Sequence, residues 1–277
     1  MDKQQIFDDW VGRSKTQEPD IITSRLSREF AATFSDAFAP VSGTAPGLHW
    51  CLSPALVNTA ELGPDGHPAK GRFLPPTGLP RRMWAGGSLE FFEPLMQNDT
   101  VSKTSTIKDV SWKSGKSGKL CFVTVMNEYV TDRGLAIREN QNIVYREAAK
   151  GPMTINTSSN TRLRFDVEKK VNITPTMLFR YSALTFNGHR IHYDLRYARQ
   201  EEMYPDLVIH GPLQATLLLN FATSIGSVLP KRFEFRSVAP ATGTQTLRIG
   251  ATAAQGNCNL SVVSEENMVT MMATAHW

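Results

Sequence analysis

Between Asn187 and Asp194 the chain reads Asn-Gly-His-Arg-Ile-His-Tyr-Asp, inside the longer run RYSALTFNGHRIHYDLRYA at 180–198. Two imidazoles, a carboxamide and a carboxylate in so short a space fit three kinds of chemistry. Histidines near a chain reversal can simply satisfy backbone carbonyls. His189 and His192 could ligate a metal with Asp194, although no cysteine and no clear third ligand joins them. Or a histidine titrating near neutrality, held by an amide or carboxylate, could move protons to and from water or carbon. That last chemistry needs a donor for developing negative charge. His210-Gly211-Pro212 offers the backbone N–H of Gly211 at a helix start, where the dipole favours an anion.

These residues need elements to hold them. The spacing of Asn187, His189 and His192 suits no single helical face, and Gly188 interrupts it, so they belong on a loop or broken turn. From Gly211-Pro212 a helix is expected, apolar almost all round from Leu213 to Ile225 and therefore buried on most sides. Curved antiparallel strands wrapping it are the simplest arrangement. The chain also echoes itself. LEFFEPLMQNDTVSKTSTI from Leu89 and FEFRSVAPATGTQTLRIGA from Phe233 align at an offset of 144, and RLSREFAATFS (25–35) and MLFRYSALTFN (177–187) at 152. Period-2 patterning predicts strands after each. Two echoes in one order imply a duplicated fold, with domains at 1–150 and 151–277 joined near the polar stretch 150–161. The first copy carries Ser35, Ala37 and Pro40 where the second has Asn187, His189 and His192. One active half and one supporting half follows. In the supporting half SPALVNTAELG predicts a short helix with Ser53 as N-cap, Pro54 behind it and Gly63 as stop. The Gly/Pro-rich stretch 63–80 is too long for a simple connector and reads as a functional flap.

Composition bounds the rest. The chain has 277 residues, 41% hydrophobic and 20% charged, the profile of a soluble globular protein. No apolar run is long enough to cross a bilayer. MDKQQIFDDW at the start is neither a secretory signal nor a transit peptide. Cys51, Cys121 and Cys258 are odd in number and lack C-x-x-C spacing; they read as small buried hydrophobes in a reducing, cytoplasmic setting. A net charge of +4 favours an anionic partner only weakly. Lys113, Lys116 and Lys119 suit a solvated hairpin or a phosphate contact. Without interleaved aromatics they do not support single-strand nucleic-acid binding.

FNGHRIHYDLRYA followed by PDLVIHGPLQA resembles the MaoC-type (R)-specific enoyl-thioester hydratase/dehydratase motif, Asp-x-Asn-Pro-x-His-x-Asp and then a His-Gly at the start of a central helix. LPRRMWAGGSLEFFEPL is similar to the branch of 3-hydroxyacyl-thioester dehydratases and mesaconyl-CoA or itaconyl-CoA hydratases. The resemblance implies an α+β double hotdog, two antiparallel sheets each wrapping a central helix, and a hydro-lyase. His192 falls on the catalytic histidine and Gly211 on the oxyanion glycine. Asn187 falls where the wider family has an aspartate, and His189 on the motif's asparagine. Asn187 cannot be a general base, so the implied role is to position water by its amide or to orient the substrate. Any substrate is a CoA or phosphopantetheine thioester, with CoA part of the substrate and no separate cofactor or metal. Arg81 and Arg82 are candidates for a phosphate or a substrate carboxylate, Arg190 for the acyl end, and His189 and His210 for further substrate contacts. Trp84 could pack on adenine or fill the core. The expected reaction is hydration of a C5 dicarboxylic enoyl-CoA, itaconyl-CoA or mesaconyl-CoA to citramalyl-CoA, as in itaconate degradation. The alternatives are a 3-hydroxyacyl-ACP/CoA dehydratase of fatty-acid synthesis and a non-catalytic acyl-thioester binder. No nucleic-acid or membrane partner is expected; a homodimer is compatible.

Overall fold

The computed structural model describes residues 5–34, 43–115, 118–149, 151–152, 163–254 and 256–277. Eleven antiparallel strands form its sheet: β1 (Ser14–Thr16), β2 (Asp20–Ile21), β3 (Arg81–Phe91), β4 (Thr100–Gly115), β5 (Gly118–Thr131), β6 (Gly134–Arg146), β7 (Val167–Ile173), β8 (Arg232–Ser237), β9 (Gln245–Ala254), β10 (Asn257–Val263) and β11 (Val269–His276). The strand order is β1-β4-β5-β6-β3-β8-β11-β10-β9-β7, with β2 also on β4. Reading outward from the centre, β3-β6-β5-β4 mirrors β8-β11-β10-β9. The duplication is therefore built into the sheet, and its two halves meet where β3 pairs with β8. The two stretches that echo in sequence are these neighbours, with Leu89 opposite Phe233. The second echo is a pair of helices, α2 (Ser24–Phe34) and α3 (Pro175–Leu184). They lie against each other through Phe34 and Tyr181, whose ring centres are 5.9 Å apart. Of two further short helices, α1 (Gln5–Asp8) places Phe7 against Trp112 of β4, and α4 (Leu195–Gln200) follows the polar run.

Helix α5 (Gly211–Gly226) runs under the second half of the sheet, and every residue from Leu213 to Thr223 is buried. Burying a helix on all sides requires that its polar side chains find partners. Thr216 and Thr223 donate back to the carbonyls of Pro212 and Leu219, each at 2.8 Å. Asn220 Nδ2 reaches Pro46 O at 2.5 Å, and Thr270 Oγ1 donates to Gln214 Oε1 at 2.6 Å. These bonds let the apolar helix sit inside without orphaned groups, and they tie it to both halves.

The first half departs from expectation. No helix forms over 53–63: residues 54–58 are irregular and a single 3-10 turn covers Thr59–Glu61. Leu56 is 70% exposed there, so a helix would have had no apolar face to bury. What the first half leaves unfilled opens into a cavity of about 1440 Å³. The long loop 63–80 is held in place by Leu79, Leu74 and Phe73 packing against a small second core on β4–β6 that includes Cys121, Ile143 and Tyr145. The three cysteines are buried and unpaired with one another, and burial pushes the Cys51 thiol up to about 12 and Cys121 to about 11. Lys113 and Lys119 are exposed on the β4–β5 hairpin. Lys116, the domain join at 150–161 in large part, and Ser35, Ala37 and Pro40 lie outside the described residues. No helix among the described residues is long and apolar enough to cross a membrane.

Candidate active site

The polar cluster follows α3 directly. Thr174 caps this helix by accepting from Met177 N, and the chain leaves it through Phe186 at positive φ. Asn187 then folds back, its Oδ1 accepting the His189 N–H at 3.0 Å, an Asx turn that shapes the loop. A 3-10 turn, Arg190–His192, places His192 inward at 7% exposure. Its Nδ1 lies 2.7 Å from Val208 O. A carbonyl can only accept, so Nδ1 carries the hydrogen and Nε2 keeps a free lone pair. Burial pushes this imidazole down to about 3, which keeps it neutral with Nε2 free to accept.

His210 lies behind it. Its ring stacks on His192 at 3.6 Å between centres, and its Nε2 meets Ser182 Oγ at 2.8 Å. It is fully buried and outside the cavity lining, so the expected substrate contact becomes a supporting one. Burial and His192 drive it well below its ordinary range. His189, also buried, faces the same cavity, and burial with the neighbouring His67 lowers it strongly.

Gly211 begins α5, where a first-turn N–H has no intrahelical acceptor. A Cβ there would come within 2.8 Å of Trp84 Cε3, so the absence of a side chain lets the indole pack over the helix start. Trp84 stacks on Phe235 at 4.7 Å and meets Trp50 edge-on at 5.9 Å. It fills core and lines the cavity at once. Asn187, His189, His192 and Gly211 all border this one space.

The arginines separate by the alternation of β3. Arg81 points away from the cavity, 6% exposed, its Nε 2.5 Å from Glu202 Oε2 and its guanidinium over Tyr204. That corrects its assignment to substrate. Arg82 lines the cavity and forms no ion pair among the described residues. It is near enough to push His67 and His189 downward. Arg190 also has other work: it pairs with Asp194 at 2.7 Å and donates to Pro64 O at 3.0 Å. Asp194 in turn caps α4 and is no partner of His189 in holding a metal.

Sequence reasoning missed Asp65 and His67. They sit on the long loop, with His67 Nδ1 3.1 Å from Asp65 Oδ2 and the two rings of His67 and His189 4.2 Å apart. The loop is pressed onto the turn that carries His192, backbone on backbone. Arg190 N donates to Asp65 O at 2.9 Å, and a Cβ on Gly188 would come within 2.6 Å of Gly66 O. An Asp-Gly-His triplet in a loop already suspected of function was the available signal. Ligand-capable atoms of Asp65, His67 and His189 lie within 4.8 Å of one another. The Arg82 charge beside them opposes a cation, and the His67 Nδ1 is already engaged with Asp65. On the first-half side the cavity wall is polar. Glu139 is fully buried and accepts from Trp50 Nε1 at 2.9 Å and Asn127 Nδ2 at 2.8 Å. Lys103 also lines this wall and forms no ion pair among the described residues.

Known proteins match this arrangement. The family model for hydroxyacyl-thioester dehydratase type 2 covers residues 47–243. The mesaconyl-C(4)-CoA hydratase of Chloroflexus aurantiacus is 37% identical over 268 residues, 96% of this chain and 95% of that protein. The mitochondrial hydroxyacyl-thioester dehydratase type 2 of Schizosaccharomyces pombe is 30% identical over 83% of this chain and 85% of its own. Among solved structures a MaoC-like dehydratase superposes with a TM-score of 0.72 at 12% identity, covering 98% and 99% of the two chains. HtdX of Mycobacterium tuberculosis gives 0.69 at 16%, covering 95% and 98%. Another protein from that organism, described as a double hotdog, gives 0.57 at 13%, covering 98% and 97%. The mirrored half-sheets and the buried helix agree with these matches: the chain belongs to the hydroxyacyl-thioester dehydratase type 2 family, a hydratase/dehydratase on the double hotdog fold.

Proposed function

We propose that this protein adds water across the double bond of a C5 dicarboxylic enoyl-CoA, of the mesaconyl-CoA or itaconyl-CoA kind, giving a citramalyl-CoA. The observation that carries the choice of acyl group is Arg82, a guanidinium without an ion-pair partner among the described residues, facing the cavity beside neutral imidazoles. A half-buried cation there, with Asp65 as the nearby carboxylate that feels its charge, favours an anion, and a planar fork suits a carboxylate. The polar wall at Lys103, Asn127 and Glu139 also differs from the lining a plain alkyl chain needs. The mesaconyl-C(4)-CoA hydratase of Chloroflexus aurantiacus, 37% identical, supports the same substrate class.

In this reading the thioester carbonyl rests against the N–H of Gly211. His192 Nε2 takes a proton from water as the oxygen bonds to the β-carbon. The electron pair of the double bond moves toward the carbonyl, and the charge that gathers there is stabilised by the Gly211 amide and the α5 dipole. One such donor contributes about 10²–10³ in rate. His192 then returns the proton to the α-carbon. Asn187 shapes the loop through its Oδ1 and leaves its amide nitrogen for the substrate side.

The test follows loss of the enoyl-thioester absorbance with mesaconyl-CoA, itaconyl-CoA and crotonyl-CoA in parallel, with mass spectrometry for gain of one water. Turnover of the dicarboxylic thioesters, abolished in His192→Ala, is expected. A preference for crotonyl-CoA would move the assignment to a 3-hydroxyacyl-thioester dehydratase. CoA-ester binding without turnover would leave only a binding protein.

A further inference from the structure

We infer that His67, aligned by Asp65, is a second catalytic residue, whose Nε2 accepts the hydrogen of the attacking water that His192 does not take. The inference rests on the water-addition reading above. A water attacks with an oxygen lone pair, so both of its hydrogens must be directed elsewhere, each onto an acceptor. His192 Nε2 supplies one acceptor. The position that an aspartate would occupy has less to offer: Asn187 has a single acceptor oxygen, and one of its two lone pairs is taken by the His189 N–H. His210 lies behind His192 with its Nε2 on Ser182.

His67 has what the task requires. Its Nδ1 faces a carboxylate at 3.1 Å, which places the hydrogen on Nδ1 and frees Nε2 as an acceptor. The same logic holds for His192 and Val208 O, so two imidazoles of one tautomer border one cavity. Nothing comparable fixes the His189 tautomer. The loop carrying His67 is held by backbone contacts to the turn carrying His192, through Arg190 N to Asp65 O and Gly66 against Gly188. The charged and titratable groups around His67 are Asp65, Lys70, Arg82, His189 and His192. Burial and Arg82 outweigh Asp65 and hold His67 down at about 4, so it stays neutral and accepting. In the step itself the water O–H bond to His192 breaks and the β-carbon–oxygen bond forms. The hydrogen on His67 stays with the product hydroxyl, and His67 ends as it began.

The test is steady-state hydration by the full chain with mesaconyl-CoA, comparing wild type with His67→Ala, His67→Gln, Asp65→Asn and His189→Ala, each checked by thermal unfolding. His67→Ala should lower kcat by roughly 10²-fold or more with KM little changed. His67→Gln, which keeps an acceptor oxygen, should recover part of that. Asp65→Asn should move the acid limb of kcat to lower pH, because the lost carboxylate is what raises His67; a purely structural Asp65 would leave that limb in place. Unchanged kcat in a folded His67→Ala or His67→Gln, or an effect on KM alone, would overturn the proposal. So would a larger loss in His189→Ala than in His67→Ala, or wild-type activity lost to EDTA and restored by zinc. If wild type hydrates none of the thioesters, the water-addition reading fails first and this role falls with it.

Discussion

The two halves of the sheet share strand order and helix placement, yet one is filled and the other is open. Under β8–β11 lies α5, with eleven residues from Leu213 to Thr223 buried in succession. Under β3–β6 there is no such helix among the described residues, only the 3-10 turns Leu48–Cys51 and Thr59–Glu61 and loop 63–80. The second half holds the His192 turn and the first amide of α5, while the first half supplies Arg82, the polar wall and the loop that brings Asp65 and His67. A duplicated domain that loses its central helix gains room for a substrate. On the proposed reading, catalytic parts come from both copies and the supporting half takes part in the chemistry through His67.

The comparison breaks most readily at His192. His192→Ala should lower kcat by about 10²–10⁴, measured by enoyl-thioester absorbance, while the loss of the donor to Val208 O costs only about 1–3 kcal/mol of stability and leaves the chain folded. Gly211→Ala comes next. Its Cβ would meet Trp84 at 2.8 Å and displace the amide, with a loss of about 10²–10³ in kcat and no compensating gain in binding. The filled half is tested by Leu218→Ala, a fully buried α5 position, which should cost about 2–5 kcal/mol in urea unfolding. Arg82→Met should raise KM for the dicarboxylic thioesters about 10–100-fold, the equivalent of a charged hydrogen bond, and leave crotonyl-CoA unaffected.

Acid should weaken both halves. His49 in the first and His192 in the second are each held down at about 3, mainly by burial. Their folded values lie below the unfolded one, so the unfolded chain takes up protons first on acidification. The stability they contribute is fully present above pH of about 6.5 and declines as pH falls toward 3, by about 1.4 kcal/mol per pH unit for each histidine. Denaturant midpoints measured from pH 7.5 to 5 give the slope, and His49→Phe should remove one histidine's share. The smallest effect belongs to the open half. Leu56→Ser, at a 70% exposed position, should change stability by less than about 0.5 kcal/mol.

Much of this was legible along the chain. The apolar run after Gly211-Pro212 could only be a buried helix, and Asn187 to His192 could only be irregular. The repeats announced a duplication, and β3 and β8 turned out to be neighbours. The helix expected at 53–63 was not legible as absent, because capping residues mark where a helix could start and say nothing of whether a face exists to bury it. Arg81 and Arg82 look alike in sequence; the two-residue alternation of a strand sends one to Glu202 and the other to the cavity. Arg190 looked available until Asp194 and Pro64 were seen to hold it.

The sequence by itself determined the local chemistry and its carriers: two histidines beside an asparagine, a glycine at a helix start, and a helix apolar enough to demand burial. These follow from residue type and short-range spacing, which act within a few turns of chain. Only the tertiary structure decided that Asp65 and His67, more than a hundred residues before His192, join the same site, and that the open half becomes the cavity. Those outcomes depend on which surfaces meet when two half-sheets pair at β3 and β8. Contacts between distant segments are set by packing, and no local pattern encodes them.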